Sequence, residues 1–296
     1  MERRILKTVK SQETLAAYIL LAPDILGLLL IYIGPMLFTI YLSFFSWSGV
    51  GEKIFVGAEN YLSMFSDPTW FKSFGVTLKY IVMYVPSIVI GSLLLAIMTN
   101  IKLPEIKIYR TLYFFPIVMP IIVAAVVWQF IFEPSYGVLN YILGFFGIPA
   151  QPWLGSADQA LLSVVVVSVW KQMGYYMIIY LAGLSDISQE YYEAAVIDGA
   201  NSVQKFLNIT LPLLKPVIIF VVIVNMISAL QDFDQVYVLT RGGPDYSTYV
   251  QVFYIYEKAF KFMKMGAASA ASVVLFSVIM LVSLFQLKLF KGGSYE

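Results

Sequence analysis

The chain contains no cysteine and no histidine. That excludes disulfides, thiol nucleophiles, imidazole acid–base chemistry and Cys- or His-ligated metal sites. Charge is scarce as well: 12% of the 296 residues are charged, against about 25% in a soluble domain. The net charge of +1 lacks the basic excess of a nucleic-acid binder. No GxxxxGK[ST] phosphate loop occurs, so any ATP hydrolysis must be done by another polypeptide. Nor do paired carboxylates stand in a catalytic motif, which leaves an intramembrane enzyme without support.

What fills the chain instead is apolar. Sixty per cent of its residues are hydrophobic and the mean hydropathy is +0.81. A water-soluble fold has no interior large enough for that surface, so lipid must solvate much of it. A crossing helix needs about 20 apolar residues, and residues 25–51, 80–101, 111–132 and 265–287 are uncharged throughout. Residues 159–185 carry only Lys171, and 216–231 are uncharged up to Asp232. Six spans are therefore expected, at about 15–45, 74–100, 109–132, 159–184, 213–239 and 265–290, in one all-α membrane domain covering 1–296. The uncharged stretch 134–157 is not counted, because Pro134, Gly137, Gly144, Gly147, Pro149, Pro152 and Gly155 break it. The basic N-terminus precedes a long apolar run with no clear small-residue cleavage site, which reads as a retained first span.

Lysine and arginine set the orientation. With both termini in the cytoplasm, eleven lie on the inner side (Arg3, Arg4, Lys7, Lys10, Lys102, Lys107, Arg110, Lys205, Lys215, Lys288, Lys291) and six on the outer (Lys53, Lys72, Arg241, Lys258, Lys261, Lys264). This places segment 185–212 in the cytoplasm. Residues 249–264 suit an amphipathic helix along the outer interface, with Val252, Ile255, Tyr256, Ala259, Phe260 and Met263 on one side.

The inner segment carries the sharpest pattern in the chain. Residues 193–212 read EAAVIDGANSVQKFLNITLP. Ser188 is suited to N-cap a short helix with Gln189 and Glu190 in its first turn. Ala194 and Ala195 keep one flank slim, Gly199 permits a turn, and Leu211-Pro212 turns the chain back toward the membrane. Glu193, Ala194, Ala195, Asp198, Gly199, Phe206, Ile209, Leu211 and Pro212, in this spacing between hydrophobic spans, resemble the EAA loop of bacterial ABC-importer permeases. Ile197-Asp198-Gly199-Ala200 and the later Leu239-Thr240-Arg241-Gly242-Gly243-Pro244 are similar to the carbohydrate-uptake branch, of the maltose or glycerol-phosphate type. The resemblance covers most of residues 16–291.

It implies a type I ABC-importer permease fold in the bacterial plasma (inner) membrane, for a sugar, oligosaccharide or related polyol. The loop helix would seat in a cleft of an ATPase subunit. Implied partners are a second permease, two ABC ATPase subunits and an extracytoplasmic solute-binding protein. This chain would need no cofactor, ATP and Mg residing on the ATPases. The short tail 292–296 favours a heterodimer of first-permease type. The segment Thr240, Arg241, Gly242, Gly243 and Pro244 would contact the binding protein. As sequence alone it reads as a turn.

Polar side chains inside spans are costly and usually face a cavity or another helix. Ser168, Lys171, Gln172 and Tyr175 recur on one helical face, with Trp170 beside it. Asn225, Ser228 and Asp232 form a second face, and Gln129 lies near the outer end of the third span. Amides, carboxylates and aromatic faces suit a sugar, so these nine residues are the candidate solute path. The alternative is that they satisfy one another between helices, with Lys171 and Asp232 as an ion pair. An ion-gradient-driven secondary transporter is the competing function, and it would normally show an internal repeat, which this chain lacks.

Overall fold

A computed structural model describes residues 2–101, 103 and 105–291, with backbone alone at 2–13, 15 and 289–291. Lys102 of the charge balance and the tail 292–296 lie outside the described residues. Apart from the paired strands β1 (Phe45–Ser46) and β2 (Ile54–Phe55), the regular structure described is helical. The chain divides into two compact units: Met1–Ser66 with Glu257–Val274, and Asp67–Tyr256 with Leu275–Glu296.

In the first unit, α1 (Glu2–Leu28) runs through a π-helical turn at Leu29–Ile33 into α2 (Gly34–Leu42). Pro35 explains the turn, since it has no N–H to continue the regular ladder. The apolar stretch Ala16–Leu42 is long enough to cross a membrane and is almost wholly exposed. After it, α3 (Glu59–Phe65) is tied back to the β-hairpin: the Asn60 amide donates to the carbonyls of Ser43 (2.8 Å) and Phe45 (2.9 Å). Gly266 presses against the Phe45 carbonyl, a place no Cβ would fit.

The second unit is built around α4 (Pro68–Thr99) packed along α8 (Ala160–Ser185), with α12 (Lys215–Leu230) against α4. Tyr80, Ile88, Val164, Met177, Tyr180 and Val221 form its fully buried centre. Asp67 caps α4 by accepting from the Thr69 N–H at 2.9 Å. Below it, Gly174 of α8 lies against the Tyr113 carbonyl of α5 (Ile106–Val118) so closely that a side chain there would displace backbone.

Two expected spans are not straight. The third consists of α5 and α6 (Ile121–Ile131), which meet at 102°. Met119 is extended (φ −66°, ψ 135°), the geometry favoured before a proline, and Pro120 follows. The fifth bends by 64° between Ser202–Leu213 and Lys215–Leu230, where Pro212 and Pro216 each remove a donor. It also stops at Leu230 instead of running to 239: Phe233 leaves helical geometry (φ −139°) and α13 (Asp234–Leu239) starts anew. Among the described residues, four helices are thus long and apolar enough to cross a membrane, or up to six spans if each bent pair counts as one.

Segment 134–157 contains only α7 (Val138–Phe145) and a 3₁₀ turn at Trp153–Gly155, neither able to span. The interfacial expectation at 249–264 needs correcting. Here α14 (Gln251–Tyr256) buries Phe253 and Tyr254 rather than Val252 and Ile255. Its Gln251 holds it to α4, the backbone N–H donating to Thr77 Oγ1 at 2.9 Å. Farther on, Phe260 and Met263 are exposed.

Candidate functional site

The short helix α9 (Gln189–Ile197) forms as its sequence directs. Ser188 caps it, accepting from the Glu190 N–H at 3.3 Å. It closes with the paired bonds of a left-handed C-terminal cap, Ala200 N–H to Ala195 C=O (2.8 Å) and Gly199 N–H to Val196 C=O (3.1 Å). Gly199 sits at φ +75°, a conformation that costs an L-residue about 1–2 kcal/mol. No residue of α9 is buried. Glu193, Ala194 and Asp198 are exposed, and Ile197 and Val196 present 86% and 59% of their surface. Val196 and Ile197 thus leave adjacent aliphatic side chains bare on a capped helix.

What holds α9 in place is Tyr192. Its hydroxyl meets Thr210 Oγ1 at 2.9 Å, and Thr210 is buried where the π-helical turn Phe206–Thr210 leads into α11 (Leu211–Leu213). Phe206, Ile209 and Leu211 are half-buried and Pro212 exposed. Before that turn, α10 (Ser202–Lys205) starts with a reciprocal cap between Asn201 and Gln204. Displacement of α9 therefore pulls on the base of the fifth span.

The candidate solute-path residues separate into two groups. Lys171, on α8, donates to the carbonyls of Pro116 (3.2 Å), Ile117 (3.3 Å) and Met119 (2.6 Å). The Pro116 oxygen also accepts the Met119 N–H at 3.3 Å, whereas those of Ile117 and Met119 are left to the lysine by the break in the third span, and an ammonium has three protons to give. In hydrocarbon such a break survives only if its backbone is satisfied internally. Asp232 instead accepts the Tyr80 hydroxyl, so the anticipated Lys171–Asp232 ion pair does not form. Asn225, fully buried, donates to the Val221 carbonyl (2.8 Å) and accepts from Tyr84 Oη (3.0 Å). Tyr80 and Tyr84 stack at 5.4 Å on one face of α4 and tie it to α12 and the segment just beyond it. Gln129 donates to the carbonyls of Val238 (2.6 Å) and Leu239 (3.3 Å), ending α13. Ser168 turns back on the Val164 carbonyl at 2.9 Å.

The remaining four present free chemistry. Gln172 is half-buried, Tyr175 and Ser228 are exposed, and Trp170 meets Trp128 edge-on at 5.4 Å. From Trp128 the aromatic chain continues through Phe132 to Trp153.

At the opposite end from α9, segment 240–248 is locked. Thr248 Oγ1 lies 2.7 Å from Thr240 Oγ1 and 2.9 Å from the Gly243 carbonyl. Gly242 is buried at φ +81°, facing Tyr249 and Phe253. Gly243 and Pro244 are half-buried, while Arg241 points outward at φ +50°. Lys72 of α4 clasps the loop, donating to the Asp245 carbonyl at 2.8 Å beneath the Tyr246 ring. Nearby, Tyr254 donates to Asp67 at 3.0 Å. Burial pushes this phenol's pKa up, and the carboxylate beside it adds to the shift. Sequence reasoning passed over Tyr80, Tyr84, Tyr192 and the exposed Lys79. A phenol in an apolar run gives no pattern of its own, although Tyr80 and Tyr84 stand at helical spacing.

Residues 62–292 match the model of the family described as binding-protein-dependent transport system inner membrane component. The chain is 35% identical over 291 residues to the probable ABC transporter permease protein YurN of Bacillus subtilis (strain 168), covering 97% of this chain and 99% of that one. It is 33% identical to the trehalose/maltose transport system permease protein MalF of Thermococcus litoralis, covering 97% and 98%. In fold it is similar to a chain of a bacterial alginate ABC transporter, solved in complex with an alginate pentasaccharide-bound periplasmic protein. That match has a TM-score of 0.84 over 97% of both chains, at 23% identity.

Proposed function

Because this chain belongs to the binding-protein-dependent transport system inner membrane components, and is thus an ABC-importer permease and not an enzyme, we propose that it forms half of a sugar path driven by ATP hydrolysed on partner subunits. The single observation that carries the coupling role is α9: a capped helix with no buried residue and bare aliphatic side chains, bonded through the half-buried Tyr192 to the base of a span. Two ATPase subunits, holding ATP and Mg, dock there, and a second, non-identical permease completes the path. A solute-binding protein meets the far side at segment 240–248, where Arg241 is presented on a rigid turn. A carbohydrate solute is supported by the trehalose/maltose relative and by the free amide, phenol and hydroxyl of Gln172, Tyr175 and Ser228 near Trp170. The inner-membrane orientation with α9 in the cytoplasm rests on the lysine and arginine balance.

Family membership removes the support for an ion-gradient-driven carrier. The test is uptake of labelled sugar by proteoliposomes holding both permeases and the ATPases, with binding protein outside. Uptake is expected to require lumenal ATP and to survive ionophores. Uptake without ATP that collapses with the ion gradient would overturn the reading.

A further inference from the structure

On the side away from α9, a cavity of about 570 Å³ opens between the starts of α4 and α8 and the 245–247 turn. Its polar wall holds Lys72, Lys79, Asp158, Asp245, Tyr246 and Ser247; Met83 and Leu162 line its apolar side. Lys79 stands just before the uncharged run 80–101. At ~1.5 Å per residue the helical part of that run, 80–99 of α4, is about 30 Å long, matching the hydrocarbon thickness of about 30 Å. The Lys79 ammonium therefore lies at the level of the lipid headgroups. It is exposed and makes no hydrogen bond or ion pair with any described residue. The Ser247 hydroxyl oxygen is buried and likewise has no partner.

The wall is balanced in charge, with two ammonium and two carboxylate groups. A bare anion would have to sit beside Asp158 and Asp245, and a bare cation beside Lys72 and Lys79. A group carrying both signs a few bonds apart meets neither penalty. Below the wall the lining turns apolar, and the exposed Val82 and Val166 continue that surface down the same helices.

We propose that this cavity holds the headgroup of an aminophospholipid of phosphoethanolamine type. Its phosphate sits on Lys79, its ammonium donates to Asp158 and Asp245, and its chains run down the outer faces of α4 and α8. The remaining protons of Lys72 face the same phosphate. Asp245, Tyr246 and Ser247 lie in the segment assigned above to the solute-binding protein, so the lipid is titrated in the absence of that protein, and neither the solute nor the ATPase touches the cavity.

The assembled complex, titrated with dioleoyl phosphatidylethanolamine and observed by native mass spectrometry, provides the test. Phosphatidylglycerol, phosphatidylcholine and soluble phosphoethanolamine serve as comparisons. Phosphatidylethanolamine is expected to bind best, because glycerol carries no cation and choline cannot donate a hydrogen bond. Lys79→Gln and Asp158→Asn should each weaken it roughly tenfold, the loss expected for one charge-assisted contact. Both side chains are exposed and make no internal hydrogen bond, so assembly with the ATPases should persist as the control. Asp158→Asn should also narrow the gap to phosphatidylglycerol. Unchanged binding in both variants, or tighter binding of phosphatidylglycerol to the unaltered protein, would overturn the assignment. Equal binding by soluble phosphoethanolamine would overturn the lipid reading in favour of a soluble zwitterion.

Discussion

Replacing Lys171 with methionine keeps the apolar stem and removes the three protons that hold the break in the third span. The carbonyls of Ile117 and Met119 lose their donor, while that of Pro116 keeps the Met119 N–H. An orphaned buried acceptor costs about 1–3 kcal/mol, and carbonyls stand at the lenient end. The packed structure should therefore lose about 2 kcal/mol in total. Insertion moves the other way, because a mid-span lysine opposes it by about 2.5–3.5 kcal/mol. The variant should accordingly reach the membrane at least as well as the parent, yet melt lower once purified. At roughly 2–3 °C per kcal/mol for a chain of this size, the drop is about 4–6 °C. Fluorescence-detected size-exclusion after heating measures it in detergent, and quantitative blotting of membranes measures insertion. Lys171→Arg, which retains donors, should recover much of the loss. Unchanged melting of Lys171→Met would refute the clamp. So would full rescue by Asp232→Asn, since Asp232 is bonded to Tyr80 and gains nothing from losing Lys171.

Tyr192→Phe deletes the hydroxyl link to Thr210 and should cost about 1 kcal/mol; ATPase copurification persists while solute-stimulated hydrolysis falls, and unchanged stimulation would count against the linkage. Gly199→Val should reduce ATPase retention through backbone geometry alone, because nothing lies within 4 Å of a Cβ there; Gly199→Asn, which tolerates φ > 0, should recover part of it in the same pull-down. Asn225→Ala leaves the Tyr84 hydroxyl without its acceptor, and Asn225→Ala with Tyr84→Phe should destabilise less than the two single changes summed, as a double-mutant cycle on melting would measure. Single cysteines at Ser156 and Gln204 in this Cys-free chain test orientation: an impermeant thiol reagent on intact cells should label position 156 and spare 204, and the reverse would place α9 outside.

Local chemistry and hydrophobic length were enough to mark the long apolar helices, the Ser188 cap, the left-handed Gly199 and the family pattern at 193–212. Each of these depends on neighbours within a few residues or on the length of an uncharged run, and both can be read along a chain. Partnership was another matter. Lys171 and Asn225 stood out as polar groups inside spans, and Asp232 lies just past the end of one, but a helical face does not reveal which groups oppose it. Those were decided by the break at Met119-Pro120, which freed carbonyls opposite Lys171, and by Tyr80 and Tyr84, hidden in an apolar run on a helix some 140 to 150 residues away. Gln129 likewise caps a helix that begins only after an unforeseen break at Phe233. A buried polar atom takes whichever complementary atom packing brings within about 3 Å, and that choice exists only once the helices have been set against one another.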